Sequence, residues 1–255
     1  MLGLICLVGI AAFAGLAQLQ GTEKGEVIRY TVVAEHPHDE LAFTQGLVFY
    51  QGKLYESTGR YGESTLREVE IQTGQVLRRV DIAPDIFAEG LCLWGSEWLQ
   101  LTWKENKILH YDRESLEATQ ETTWRRQGWG LTHNDKELII SDGTSRLFFV
   151  DPESGKILRD IEVTLEGRRQ DRLNELEYVD GYIYANVWYK KHVLKIDPRH
   201  GKVVGMIELA EPMRKMGLND REKTCNGIAY NSETGHFYVT GKLWPKVLEI
   251  ELEEK

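Results

Sequence analysis

Cysteine is scarce in this chain, and positive charge is outweighed by negative charge. There are three cysteines in 255 residues, and no group of cysteines and histidines has the spacing of a zinc site. The formal net charge is −9, which argues against nucleic acid as a partner because phosphate binding requires a basic face. Cys92 and Cys225 lie in apolar, strand-like runs, where buried free thiols are favoured over a disulfide. No stretch shows a sustained helical period, which argues against a helical fold.

The N-terminal segment contains no charged side chain from Met1 to Ala17. This apolar run is shorter than a comfortable membrane span and ends in small residues that suit a cleavage site. We interpret residues 1–20 as a signal peptide, with an uncleaved anchor as the alternative. The protein is therefore expected to be secreted or periplasmic, and to meet a membrane only if residues 1–17 stay attached. Residues 21–255 are predicted to form a single domain.

A pattern of three or four short apolar strands recurs five times after this segment. Each repeat opens with a polar residue, a small residue and an apolar run. The aligned positions are Gly46, Gly90, Gly130, Glu175 and Gly227. A period of about forty residues with acidic or glycine turns is typical of propeller blades. The sequence therefore predicts an all-β fold, a five-bladed β-propeller, whereas a β-sandwich, the alternative, does not explain the repeat.

The ends of the chain are predicted to close the ring. Repeats one to four contain a fourth strand, but the fifth repeat reaches Lys255 without one. The strand-like segment Val27–Val33 belongs to no repeat, so it is expected to complete the last blade as its outer strand and leave no free sheet edge there. The one long insertion, residues 211–224, is expected to hold a helical turn.

The predicted topology brings ten positions to one mouth of the ring. Inner strands run parallel around the axis and each second strand is antiparallel to its inner strand, so inner-strand starts and second-strand ends share one mouth. The inner-strand starts are Gln45, Glu89, Trp129, Asn174 and Asn226. The second-strand ends are Gly59, Trp103, Gly143, Trp188 and Lys242. A mixture of indoles and a few converging polar groups predicts a binding pocket.

Most of these positions lie in motifs that resemble the glutaminyl cyclases of the plant and bacterial type. The motifs occur in order from Phe43 to Trp244, which is nearly the whole chain after the N-terminal segment. They are FTQG (43–46), STGRYGES (57–64), AEGL (88–91), LTWK (101–104), SDGT (141–144), LNELE (173–177), ANVW (185–188), NGIA (226–229) and GKLW (241–244). The resemblance implies a five-bladed propeller that converts N-terminal glutamine to pyroglutamate and releases ammonia. It separates the chain from the zinc-dependent animal enzymes, and we expect no cofactor and no metal.

In that reaction the α-amine attacks the γ-carboxamide carbon of the same residue, and one carboxylate can carry the proton between the two nitrogens. Glu89 is the carboxylate at the mouth, and the resemblance places this role on it; capping of a nearby amide is the alternative. Lys242 and Asn174 are predicted to stabilise the oxyanion, with Gln45 near the α-amine or the leaving amide. Alternatively, Lys242 only holds Glu89 in an ion pair. In either role Lys242 is expected to keep the pKa of Glu89 from rising.

The walls of the pocket are predicted to be aromatic, with inter-blade packing as the alternative for the indoles. The wall residues are Trp103, Trp129 and Trp188, with Phe43 and Phe87 behind them. Asn226 is left outside the catalytic set, as a residue that orients a backbone turn.

Expected partners are peptides or proteins with N-terminal glutamine, and the protein is expected to be a monomer. The residues alone leave two other functions open. A calcium-dependent, lactonase-like hydrolase would use Glu89, Asn174 and Asn226 as oxygen ligands, and a non-catalytic propeller would only grip a peptide end.

Overall fold

A computed structural model describes residues 25–253 of the chain. The signal peptide predicted for residues 1–20 lies outside this range. Within it are 23 strands and one short helix. No helix in this range is long and apolar enough to cross a membrane.

The strands are short and follow one another through tight turns. The first ten are β1 (Glu26–Val27), β2 (Tyr30–Pro37), β3 (Thr44–Tyr50), β4 (Lys53–Thr58), β5 (Thr65–Val69), β6 (Val76–Asp81), β7 (Ala88–Trp94), β8 (Glu97–Thr102), β9 (Lys107–Asp112) and β10 (Ala118–Thr123). The next ten are β11 (Leu131–His133), β12 (Leu138–Ser141), β13 (Arg146–Val150), β14 (Ile157–Glu162), β15 (Thr164–Leu165), β16 (Arg168–Arg169), β17 (Leu173–Val179), β18 (Tyr182–Val187), β19 (His192–Asp197) and β20 (Lys202–Glu208). The helix α1 (Ala210–Lys215) precedes β21 (Cys225–Asn231), β22 (His236–Gly241) and β23 (Lys246–Leu252).

These strands form sheets arranged as a closed ring. Sheet 1 is β3 to β6, sheet 2 is β7 to β10, sheet 3 is β11 to β14, sheet 4 is built on β17 to β20, and sheet 5 is β21 to β23 with β2. The inner strands contact one another in the order β3, β7, β11, β17, β21 and back to β3. Buried apolar side chains fill the spaces between neighbouring sheets. The predicted all-β propeller class is therefore confirmed.

The prediction of a five-bladed propeller is wrong. Only four of the sheets are regular four-stranded blades, because sheet 4 has seven strands. The hairpin of β15 and β16 and the short strand β1 both add to this sheet. The strands β15 and β1 each pair with β20 and run parallel to it. Gly205 in β20 permits this addition, since a Cβ there would lie 2.6 Å from Cδ1 of Ile28. The ring thus consists of four regular blades and one enlarged sheet.

The two ends of the chain close the ring at sheet 5. The strand β2 pairs antiparallel with β23, from Tyr30 opposite Leu252 to Pro37 opposite Lys246. The closing strand therefore exists as predicted, but it starts later than Val27, which belongs to β1 of sheet 4 instead.

Two smaller predictions are also confirmed. The helix α1 overlaps the insertion at 211–224 and buries Met213 against the core formed by sheets 4 and 5. Cys92 and Cys225 are buried free thiols.

Candidate active site

The starts of four of the five inner strands are irregular at the predicted site positions. The antiparallel register shifts between Thr44 and Gly46 in sheet 1, and between Ala88 and Leu91 in sheet 2. The corresponding shifts in sheets 4 and 5 span Asn174 and Asn226. Such bulges change the direction in which a side chain points and often lie next to active sites. The side chains of these site residues therefore do not follow the regular alternation of side chains between the two faces of the sheet.

The glycine that follows the site residue allows the inner strands to approach closely. A Cβ at Gly46 would lie 2.5 Å from the backbone nitrogen of Leu91, and a Cβ at Gly90 would lie 2.5 Å from that of Leu131. These distances are too short for any side chain. The repeated glycine is thus explained by packing around the axis.

Backbone hydrogen bonds join four of the five second-strand ends to the segment before the inner strand of the same sheet. The amide of Trp103 donates to the carbonyl of Phe87 at 2.9 Å, and that of Lys242 donates to Thr224 at 3.0 Å. The amide of Trp188 donates to the carbonyl of Arg172 at 2.9 Å. The two sets of predicted positions therefore lie at the same mouth of the ring.

A continuous series of contacts runs from Lys242 along the aromatic side chains. Nζ of Lys242 lies 4.6 Å from the ring centroid of Phe43. The ring of Phe43 contacts Phe87 edge-on at 6.4 Å, and Phe87 contacts Trp103 at 5.5 Å. All three aromatic side chains are partly exposed, whereas Lys242 is buried. The aromatic groups therefore form the rim, and the ammonium group lies beneath it.

The other side of the rim is formed by two indoles in edge-on contact. The rings of Trp129 and Trp188 lie 5.4 Å apart with an interplanar angle of 83°. Trp188 also stacks on Tyr189 at 4.1 Å. The predicted wall residues are therefore brought together at the mouth.

Glu89 and Lys242 are buried, with 5% and 4% of their surface exposed. Burial raises the pKa of the Glu89 carboxyl well above its ordinary value, although the charge of Lys242 opposes the rise. Burial likewise lowers the pKa of Lys242 to about 8, although Glu89 opposes the fall. The expectation that Lys242 would keep the pKa of Glu89 from rising is therefore wrong, because desolvation outweighs the charge interaction.

Gln45 and Asn174 offer opposite hydrogen-bonding groups. Oε1 of Gln45 accepts from Nδ2 of Asn226 at 3.1 Å, and the same Nδ2 donates to the carbonyl of Thr44 at 2.9 Å. Oδ1 of Asn174 is buried without a hydrogen-bond partner. The oxygen of Gln45 is therefore already occupied by a donor, whereas the oxygen of Asn174 is an unpartnered acceptor.

Several side chains that sequence reasoning left out also reach the mouth. The guanidinium of Arg60 lies 4.4 Å from the centroid of Phe43 and pairs with Glu222 of the insertion at 3.2 Å. The hydroxyl of Tyr61 donates to Glu105 at 2.9 Å, and its ring contacts Phe87. Arg60 and Tyr61 lie in the STGRYGES motif, so their presence there was a usable signal. Asn226 also belongs here, because it orients Gln45 as well as the backbone.

The fold and the mouth together define an all-β propeller with a buried carboxyl group and a buried amine beneath an aromatic rim. Comparison with known proteins identifies the family. The profile of the family described as glutamine cyclotransferase matches residues 4–252, and the chain belongs to this family.

Two relatives are similar over most of the chain. The chain is 40% identical over 228 residues to a glutaminyl-peptide cyclotransferase of Arabidopsis thaliana. The aligned region covers 88% of this chain and 71% of that protein. The crystal structure of Myxococcus xanthus glutaminyl cyclase matches with a TM-score of 0.83 and 36% identity, over 89% of this chain and 99% of that chain. The resemblance found in the sequence motifs is thereby confirmed.

Proposed function

We propose that this enzyme is a glutaminyl-peptide cyclotransferase that uses Glu89 to carry the proton. It converts the N-terminal glutamine of a peptide or protein to pyroglutamate and releases ammonia. The observation that carries the mechanism is the pair of buried groups, Glu89 and Lys242, beneath the aromatic rim.

The reaction needs a folded-back substrate and a proton carrier. The neutral α-amine attacks the γ-carboxamide carbon of the same residue, so the barrier falls when the pocket holds the side chain bent and excludes water. Trp103, Trp129 and Trp188 provide flat apolar surfaces that hold the bent side chain and exclude water.

Glu89 supplies the proton for the leaving group. Burial raises the pKa of this carboxyl group well above its ordinary value, which favours the protonated form. The group gives its proton to the departing nitrogen as the C–N bond breaks, and takes one from the attacking nitrogen. The nitrogen leaves as ammonia, and Glu89 ends in the state in which it began.

The negative charge on the former amide oxygen requires donors. Lys242 can donate from its ammonium group, and Gln45 from the amide N–H groups that Asn226 leaves free. Asn174, with its unpartnered oxygen, suits an N–H of the α-amine or the γ-amide. This arrangement reverses the sequence-based roles of Gln45 and Asn174.

The test is ammonia release from a glutaminyl dipeptide by the purified protein and by Glu89→Gln. We expect the variant to lose activity by about 10²-fold or more, because the amide cannot carry a proton, and to keep its fold by circular dichroism. Glu121→Gln on the exposed strand β10 is the matched control, and it should retain full activity. Full activity of Glu89→Gln would remove Glu89 from the mechanism.

The place of action is also a proposal. The uncharged apolar run at Met1–Ala17 supports export to the periplasm or the exterior. N-terminal sequencing of the mature protein tests this, and an intact Met1 in the cytoplasmic fraction would contradict it.

A further inference from the structure

Gln127 lies at the mouth in the segment that joins β10 to β11, and it accepts hydrogen bonds from two of the wall indoles. Its Oε1 accepts from Nε1 of Trp103 at 2.9 Å and from Nε1 of Trp129 at 3.2 Å. Gln127 is exposed and the two indoles are half-buried, and one oxygen serves both indole N–H groups. Trp103 belongs to sheet 2 and Trp129 to sheet 3, so the shared oxygen sets their relative orientation.

The backbone around Gln127 is held independently of its side chain. Its carbonyl accepts from Nε1 of Trp124 at 3.1 Å, and Trp124 is buried against Phe148. The amide of Gly128 donates to the carbonyls of Thr102 and Trp103 at 3.2 and 3.1 Å. These contacts fix the position from which the Gln127 side chain reaches the two indoles.

The orientation set by Gln127 extends across the rim. Trp129 contacts Trp188 of sheet 4 edge-on, and Trp103 contacts Phe87. A rotation of either indole would therefore change the shape of the surface against which a folded-back glutamine packs. Small displacements of positioning groups reduce turnover strongly, because the reacting atoms must be aligned within a narrow range.

We propose that Gln127 is a positioning residue for pyroglutamate formation. It acts through Trp103 and Trp129 by holding the two indole N–H groups on one oxygen. This inference rests on the proposed function, in which these indoles wall the substrate pocket.

Two variants distinguish the effect of the hydrogen-bond acceptor of Gln127 from the effect of the size of its side chain. Gln127→Met keeps a similar length but replaces the amide with a weakly accepting thioether. Gln127→Glu keeps an oxygen acceptor at the same place. We expect Gln127→Met to lower kcat by about ten-fold with KM changed by less than about three-fold, since misalignment affects turnover more than binding. Gln127→Glu should keep kcat within about three-fold of the unmodified protein at its own pH optimum.

The measurement is steady-state kinetics on a glutaminyl dipeptide, with thermal melting and near-ultraviolet circular dichroism of each variant. Unchanged melting temperatures together with a changed tryptophan signal in Gln127→Met would support a role through the indoles. Unaltered kcat in Gln127→Met, or equal losses in both variants, would overturn the inference while leaving the proposed function intact. Failure of the unmodified protein to form pyroglutamate would overturn the proposed function, and this inference with it.

Discussion

At the scale of single residues, burial decides the chemistry of the mouth. Glu89 and Lys242 carry opposite charges, and their interaction favours ionisation of both. Each nevertheless departs from its ordinary pKa in the direction that favours the neutral form, because both lie beneath the aromatic rim and are shielded from water. The pair therefore comprises a carboxyl group whose pKa is raised and an amine whose pKa is lowered to about 8.

The lowered pKa of Lys242 predicts the pH dependence of kcat/KM. The rate should rise as the substrate amine loses its proton near pH ~8, and should fall again above pH about 8 as Lys242 loses its own. Replacement of Lys242 by arginine keeps the positive charge at all accessible pH values. We expect the falling limb of Lys242→Arg to move to higher pH, whatever the loss in maximal rate.

The measurement is a pH profile of kcat/KM on a glutaminyl dipeptide, with Lys107→Arg on the outer face as the control. A falling limb that stays in place in Lys242→Arg would show that another group, with Glu89 the first candidate, limits the rate at high pH.

At the scale of the strand, the bulge and the glycine act together. The register of β7 shifts across Glu89, whose buried carboxyl group lies close enough to Lys242 for the two charges to interact. Gly90 then brings the strand against sheet 3, where its amide donates to the carbonyl of Trp129 at 2.7 Å. The position of the carboxyl group therefore depends on a neighbour that has no side chain.

Replacement of Gly90 by alanine tests this dependence. The new Cβ would lie 2.5 Å from the backbone nitrogen of Leu131, which cannot move aside as a side chain could. We expect the free energy of unfolding to fall by about 3 kcal/mol, and kcat to fall because Glu89 is displaced. Denaturant titration and kinetics of Gly90→Ala measure both.

Gly95→Ala in the turn between β7 and β8 is the matched control for Gly90→Ala. A Cβ at Gly95 would meet nothing within 4 Å, so only its positive φ of 59° opposes alanine. The expected cost is about 1 kcal/mol with unchanged kcat. Equal effects of the two substitutions would contradict the role assigned to close approach.

At the scale of the whole molecule, the ring depends on its closing strand. The strand β2 covers the edge of β23 and supplies the fourth strand of sheet 5. Lys242 follows the strand β22 of the same sheet, so the closure and the active site share one element. Loss of β2 would leave the β23 edge unpaired.

Two truncations test the closure. A chain that starts at residue 38 lacks β2, and we expect it to be aggregated or unfolded because sheet 5 has lost a whole ladder of hydrogen bonds. A chain that starts at residue 30 lacks β1 but keeps β2, and it should fold and turn over substrate. Circular dichroism and size-exclusion chromatography distinguish the two. A folded, active protein that starts at residue 38 would show that closure is dispensable.

The sequence by itself determined the all-β class, the order of the inner strands and the strand ends that meet at the mouth. These follow from local patterns: short apolar runs, a glycine at the start of four of the five inner strands, and polar or aromatic residues beside it. The same patterns did not reveal the seven-stranded sheet, because β1 and β15 join β20 through contacts between residues far apart in the chain.

Only the tertiary structure decided how the site residues behave. The raised pKa of Glu89 depends on how completely neighbouring sheets exclude water. The hydrogen bond that holds the Gln45 amide comes from Asn226, which lies far away in the chain. The two hydrogen bonds that Oε1 of Gln127 accepts come from indoles in two different sheets. Burial and shared hydrogen bonds arise when distant segments meet, so a reading of successive residues cannot supply them.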